Sequence, residues 1–160
     1  MDQAPDIIFV FGKICSGKDT FASDCTDREQ IASSDIVKSI IKSKDRKSLQ
    51  DTAHLDKKIA AGIFEKIEKN KLYCITGIRQ LSILLKLKFL LQSNVITFHL
   101  IWLEASDEEL KGRYESRGDA RDKDLSFEEA LKRDDNLGLG ELEDWLTYQN
   151  EEELTVINNE

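Results

Sequence analysis

The apolar run Ile7-Ile8-Phe9-Val10-Phe11 leads directly into Gly12-Lys13-Ile14-Cys15-Ser16-Gly17-Lys18-Asp19-Thr20, and this junction constrains the chain more than any other segment. A short uninterrupted apolar run bounded by glycine reads as a strand buried on both faces. The spacing G-x-x-x-x-G-K that follows lets successive backbone N–H groups surround a polyphosphate, and the helix after it adds its positive end. Lys18 would then reach the outer phosphates. The expected phosphate-binding set is Gly12, Lys13, Ile14, Cys15, Ser16, Gly17, Lys18, Asp19 and Thr20. A strand-to-helix turn without a ligand is the plainer reading, and the strand-loop-helix context weighs against it.

The rest of the chain alternates in a way that suits such an opening. Strands are expected at 6–11, 29–34, 71–76, 95–104 and 154–158. Helices are expected at 36–44, 52–69, 79–92 and 106–117, and another begins after Ser126. Ser106 with Glu109 and Ser126 with Glu129 have the spacing of capping boxes. Alternation of this kind predicts an α/β fold, a three-layer sandwich around a five-stranded, mostly parallel sheet. At 160 residues the chain fits one domain, residues 1–160, with the polar segment 117–125 as a small lid.

Charge and cysteine content narrow the setting. The net charge of -8 argues against a polyanionic partner, but nine acids and no Lys or Arg fall within residues 134–160, leaving the first 133 residues at +1. Lys38, Lys42, Lys44, Arg46, Lys47, Lys57 and Lys58 make residues 36–58 locally basic; a solvated helix face is the alternative. Cys15, Cys25 and Cys74 lack metal-ligand spacing and fit free thiols in a reducing compartment. The longest apolar stretch, Leu81–Leu91, is broken by Lys86 and Lys88 and is too short to span a bilayer. No signal peptide precedes the first strand, so a cytoplasmic protein is expected.

Several residues then gather around the loop. Asp19 stands where Ser or Thr commonly follows the lysine, so magnesium would rest on Thr20, phosphate oxygens, water and Asp19 or Asp35. Asp35 follows the second strand, and the carboxyl ends of parallel strands line the ligand crevice. A carboxylate there suits a general base for a hydroxyl acceptor, which must lose its proton as the bond to phosphorus forms. A helix cap is its other reading. Arg79 and Gln80, after the third strand and Gly77, can meet phosphate and a base edge or sugar. Lys38 and Arg46 join Asp35, Arg79 and Gln80 as the substrate-binding set. Arg113, Arg117 and Arg121 recur at four-residue steps; Arg117 and Arg121 are the expected catalytic pair with Lys18 and Asp35, and Arg113 could instead bridge Glu109. His54, His99, Trp102 and Trp145 read as structural.

The Gly-Lys-Asp-Thr ending of the loop is similar to that of phage deoxynucleoside monophosphate kinases. With Ser34-Asp35-Ile36-Val37-Lys38, Gly77-Ile78-Arg79-Gln80, Ile101-Trp102-Leu103-Glu104 and the 117–124 segment, the chain resembles phage-type 5-hydroxymethyluridine DNA kinases, over nearly its whole length. The resemblance implies an ATP-dependent, magnesium-requiring enzyme. It would move the γ-phosphate to the hydroxymethyl group of 5-hydroxymethyluracil in DNA, a step in phage DNA hypermodification. The alternatives are a deoxynucleoside monophosphate kinase and a nucleotide-binding regulatory module without turnover.

Overall fold

All six residues of the first strand, β1 (Ile7–Gly12), are buried, which requires cover on both faces. The computed structural model describes residues 4–41, 55–117 and 125–159. Within them β1 is the middle strand of a five-stranded sheet. It is joined by β2 (Glu29–Ala32), β3 (Tyr73–Thr76), β4 (Phe98–Glu104) and β5 (Leu154–Asn158) in the order β2-β3-β1-β4-β5. Every strand pair is parallel, and Ile7 lies in register with both Tyr73 and Phe98. Seven helices are seen among the described residues: α1 (Lys18–Asp24), α2 (Ser33–Ile41), α3 (Asp56–Glu65), α4 (Leu81–Ser93), α5 (Asp107–Arg117), α6 (Phe127–Asn136) and α7 (Leu139–Leu146).

Strand alternation sends Ile7, Phe9 and Phe11 to one face and Ile8 and Val10 to the other. The first set joins Ile36, Ile59, Ile63, Leu84, Leu87, Leu91, Leu142 and Leu146, from α2, α3, α4 and α7, in one continuous core. The second set packs with Cys74, Ile101 and Leu103 under Ala22 and Phe21 of α1. Helices on both faces of the sheet make three layers. The chain leaves β1 toward β2 over the α1 face and makes its later crossings, in the opposite direction, over the other face. Right-handed crossovers require that division. The direction of winding therefore reverses at β1, and the carboxyl ends beside such a reversal open a crevice. Here that crevice receives the Gly12–Thr20 loop.

Element boundaries depart from the sequence expectation at instructive places. The second strand was expected at 29–34 but ends at Ala32, because Ser33 and Ser34 already belong to α2. Asp35 is thus the third residue of a helix and not its cap. The fourth strand starts at Phe98 rather than 95, since Val95 is in the left-handed region at φ 58 and is almost fully exposed. Helix α3 is shorter than the expected 52–69, ending at Glu65. Helix α7 was not anticipated, although Leu139, Leu142 and Leu146 have helical spacing and are buried. Gly138, at φ 109, separates it from α6 and hides the periodicity. At Ser126 the capping box forms in full. At Ser106 the hydroxyl accepts the Glu109 N–H, while the Glu109 carboxylate takes Arg113 Nε at 3.1 Å. No helix among the described residues is long and apolar enough to cross a membrane.

Candidate phosphate-binding site

The loop after β1 is built so that its carbonyl oxygens are taken up by the protein. Lys18 Nζ donates to Gly12 O at 2.8 Å and Lys13 O at 3.0 Å. Arg113 Nη1 donates to Cys15 O at 3.1 Å, and Asn159 Nδ2 to Ser16 O at 2.8 Å. Phe21 N–H bonds Gly17 O at 2.9 Å as the first helical bond of α1, so the amides of Lys18, Asp19 and Thr20 precede the helical ladder. With those carbonyls committed, and with Ile14 N–H given to Asp134 and Ser16 N–H to Lys13 O, the amides of Lys18, Asp19 and Thr20 are what the loop and helix start offer a ligand. An anion is the complement of such a surface.

Local sequence explains the shape. A Cβ on Gly12 would lie 2.2 Å from Ser16 Oγ, and Gly17 at φ +96 adopts a conformation that other residues resist. Cys15 holds a left-handed φ of 64 without being glycine, a strain on the order of 1–3 kcal/mol. Each buried Ile or Phe of the strand below contributes roughly 1.5–3 kcal/mol. The core can therefore hold the loop in a shape it would not adopt alone.

The loop forms one wall of a cavity of about 890 Å³, a size suited to nucleotide-like ligands. Among the described residues, six cationic side chains, Lys18, Lys38, Arg79, Arg113, Arg117 and Arg133, line it against two carboxylates, Asp19 and Asp134. In a chain of net charge -8, that local excess selects for anions. Burial lowers the Lys18 pKa from 10.5 to about 8, helped by the Arg79 guanidinium; Asp134 and Asp19 act in the opposite sense. A phosphate would supply the negative charge that Lys18 lacks.

The structure brings together most, but not all, of the residues singled out in the sequence. Ile14, Cys15, Gly17, Lys18, Asp19, Thr20, Lys38, Arg79, Gln80 and Arg117 all line the cavity. Gly12, Lys13 and Ser16 stand behind the loop; the Lys13 ammonium pairs with Asp107 at 3.5 Å. Asp35 is exposed and does not line the cavity, whereas its helix neighbours Ser33, Ser34, Val37 and Lys38 do. One turn of α2 explains this, because positions 33, 34, 37 and 38 share a face and 35 lies off it. Arg113 takes the structural role open to it, tying Glu109, Cys15 O and Asn159 O together. The Arg117 guanidinium lies over the Tyr114 ring, 5.7 Å from its centroid. Arg46, Arg121 and residues 118–124 of the expected 117–125 lid lie outside the described residues.

Five contributors were not among the expected site residues. In the sequence Asp134 stood only among the nine acids of residues 134–160. It is buried on α6, accepting the Ile14 N–H at 3.1 Å and Arg79 Nε at 3.1 Å. Arg133 lines the cavity from the same helix, and Ile83 and Leu137 add apolar wall. Asn159 has no sequence signature at all, since its role depends on β5 lying beside β4, where Asn159 N–H reaches Glu104 O at 2.7 Å.

Among the described residues no group of three or more His, Cys, Asp or Glu is arranged to hold a metal. Thr20 and Asp19, adjacent on the cavity wall, offer one hydroxyl and one carboxylate. That pair fits magnesium carried in by phosphate, since the ion keeps several waters and needs few protein oxygens. No family model matches the chain, and a search of curated proteins finds no match.

Proposed function

We propose that the chain is an ATP-dependent phosphotransferase whose acceptor is the hydroxymethyl group of 5-hydroxymethyluracil in DNA. The observation that carries the phosphotransferase part is Lys18, set in a loop with committed carbonyls and facing a cavity rich in cations. Asp19 and Thr20 would hold magnesium brought by the triphosphate, and the metal would neutralise phosphate charge. Lys18, Arg117 and Arg121 would stabilise the migrating phosphoryl group. In the transfer, the acceptor oxygen bonds to the γ-phosphorus as the bond to the β–γ bridging oxygen breaks. ADP leaves, and the acceptor proton goes to a carboxylate.

The position of Asp35 bears on the acceptor. It is exposed, one helical turn from Lys38 on α2, and does not line the cavity. A hydroxyl presented on a large polyanion would approach from outside, and as its base Asp35 would have to meet it at the surface rather than in the interior. The DNA reading otherwise rests on the likeness of the Gly12–Thr20, Ser34–Lys38 and Gly77–Gln80 segments to the hydroxymethyluridine kinases.

A deoxynucleoside monophosphate kinase is the second reading, and one observation favours it. Arg79, Arg133 and Gln80 line the cavity beside apolar Val37, Ile83 and Leu137, a combination that would hold a phosphate and a base together. Incubation with γ-labelled ATP and either hydroxymethyluracil duplex DNA or free deoxynucleoside monophosphates separates the two. Label in DNA is the expected result. Label confined to the monophosphates would replace the first reading with the second.

A further inference from the structure

The phosphate loop follows β1 and Arg79 follows the neighbouring strand β3, and one buried carboxylate on α6 touches both. Asp134 Oδ2 accepts the Ile14 N–H at 3.1 Å, and Oδ1 accepts Arg79 Nε at 3.1 Å. The Asp134 side chain is only 7% exposed, while Arg79 keeps 36% of its own surface open. Both residues line the cavity. A guanidinium held through Nε retains both terminal nitrogens for a ligand. Among the described residues, those nitrogens of Arg79 have no other partner.

Asp134 is poorly placed to take a proton from an acceptor, because each of its oxygens already accepts a hydrogen bond and it is buried. It is well placed to fix a neighbour. Helix α6, which carries it, is anchored by the complete Ser126–Glu129 capping box and by buried Phe127 and Ala130. A charged group aimed from a rigid element needs little reorganisation during reaction.

We propose that Asp134 is a positioning residue for phosphoryl transfer. It clamps Arg79 through Nε, leaves the two terminal nitrogens for the phosphate being transferred or for the acceptor's phosphate, and fixes their distance from the loop through Ile14. The proposal rests on the phosphotransferase reading. It gives the buried pair a role in transfer that a purely structural ion pair would lack.

Coupling between the two residues tests it. Single-turnover transfer and ATP binding by calorimetry would be measured for the wild-type chain, Asp134→Asn, Arg79→Ala, their double variant and Arg79→Lys. Asparagine can still accept the Ile14 N–H through its amide oxygen, so Asp134→Asn should leave the ATP dissociation constant within about 3-fold and slow transfer by about 30-fold or more. In the Arg79→Ala background the same change should cost no more than about 3-fold, because its effect runs through Arg79. Arg79→Lys disturbs the fold least, and it should be nearly as slow as Arg79→Ala, since its single ammonium is spent on Asp134. Independent, multiplying effects would overturn the proposal, as would wild-type transfer by Asp134→Asn or Arg79→Lys. A parallel loss of ATP binding in Asp134→Asn would overturn it too, by placing the effect in the loop. Absence of transfer by the wild-type chain would overturn the phosphotransferase reading, and the positioning role with it.

Discussion

Lys18 Nζ lies 2.8 Å from Gly12 O, donating to a carbonyl six positions before it in the loop that carries both. The ammonium is thus held by neutral acceptors in a cationic cavity. Charge-assisted hydrogen bonds to phosphate are roughly twice as strong as neutral ones, so a polyphosphate can outcompete Gly12 and Lys13 for it.

Replacing Lys18 by Met should therefore abolish nucleotide binding, weakening it by on the order of 100-fold or more. Thermal unfolding of the same variant should change little. The two lost loop hydrogen bonds are offset by removal of a buried charge. Unimpaired ATP binding by Lys18→Met, measured calorimetrically, would place the nucleotide elsewhere.

The pH dependence has a definite sign. Burial, then Arg79, lower the Lys18 pKa to about 8, while Asp134, Asp19 and Cys15 pull it upward. Above that pH the free protein has a neutral Lys18, whereas phosphate favours the ammonium, so binding takes up a proton. The nucleotide dissociation constant should rise with pH, approaching a tenfold increase per unit above about pH 8. Stability of the free fold moves oppositely. The unfolded lysine keeps its proton up to 10.5 and the folded one only to about 8, so between those values the unfolded state binds more protons and stability rises with pH. Calorimetry in buffers of different ionisation enthalpy measures the uptake. Binding without proton uptake would remove Lys18 from the phosphate site.

Asp35 offers a sharp contrast between acceptors. If this exposed carboxylate takes the acceptor's proton, Asp35→Asn should leave ATP affinity unchanged and slow transfer to DNA by on the order of 100-fold. Turnover equal to wild type would show that this exposed helix residue has no part in the chemistry.

The phosphate loop depends on a residue far from it in sequence. Asn159→Ala removes the donor to Ser16 O and should weaken ATP binding several-fold, with a loss of stability of about 1 kcal/mol. Gly17→Ala should be worse, because its φ of +96 suits glycine and the added Cβ would lie 2.5 Å from Asn159 Nδ2. A stability loss of about 1–3 kcal/mol is expected, and chemical denaturation of both variants would measure it. Wild-type stability in Gly17→Ala would mean that the loop relaxes more freely than its contacts imply.

The parts of this molecule legible in the sequence are those fixed by local chemistry. The apolar run of β1 and the glycine spacing after it placed Lys18, Asp19 and Thr20 on the cavity wall without any long-range information. Ser126 and Glu129 likewise signalled α6 through a capping box. Asp134 and Asn159 were illegible for the opposite reason. Each acts on the loop across more than 100 residues, and the contact exists only once α6 and β5 have packed. Only the placement of Asp35 was misread, through a boundary: ending β2 two residues late put it at a strand end, while the helix that begins at Ser33 turns it off the cavity face.

Transfer of phosphate to a base hydroxymethyl is tested by locating the phosphate in the product. After reaction with ATP and hydroxymethyluracil duplex DNA, the DNA would be digested to nucleosides without phosphatase treatment of the base ester and resolved by mass spectrometry. A phosphate ester on the 5-hydroxymethyl group is expected, absent with Lys18→Met. Unmodified hydroxymethyluracil, together with phosphorylated free monophosphates under the same conditions, would contradict it.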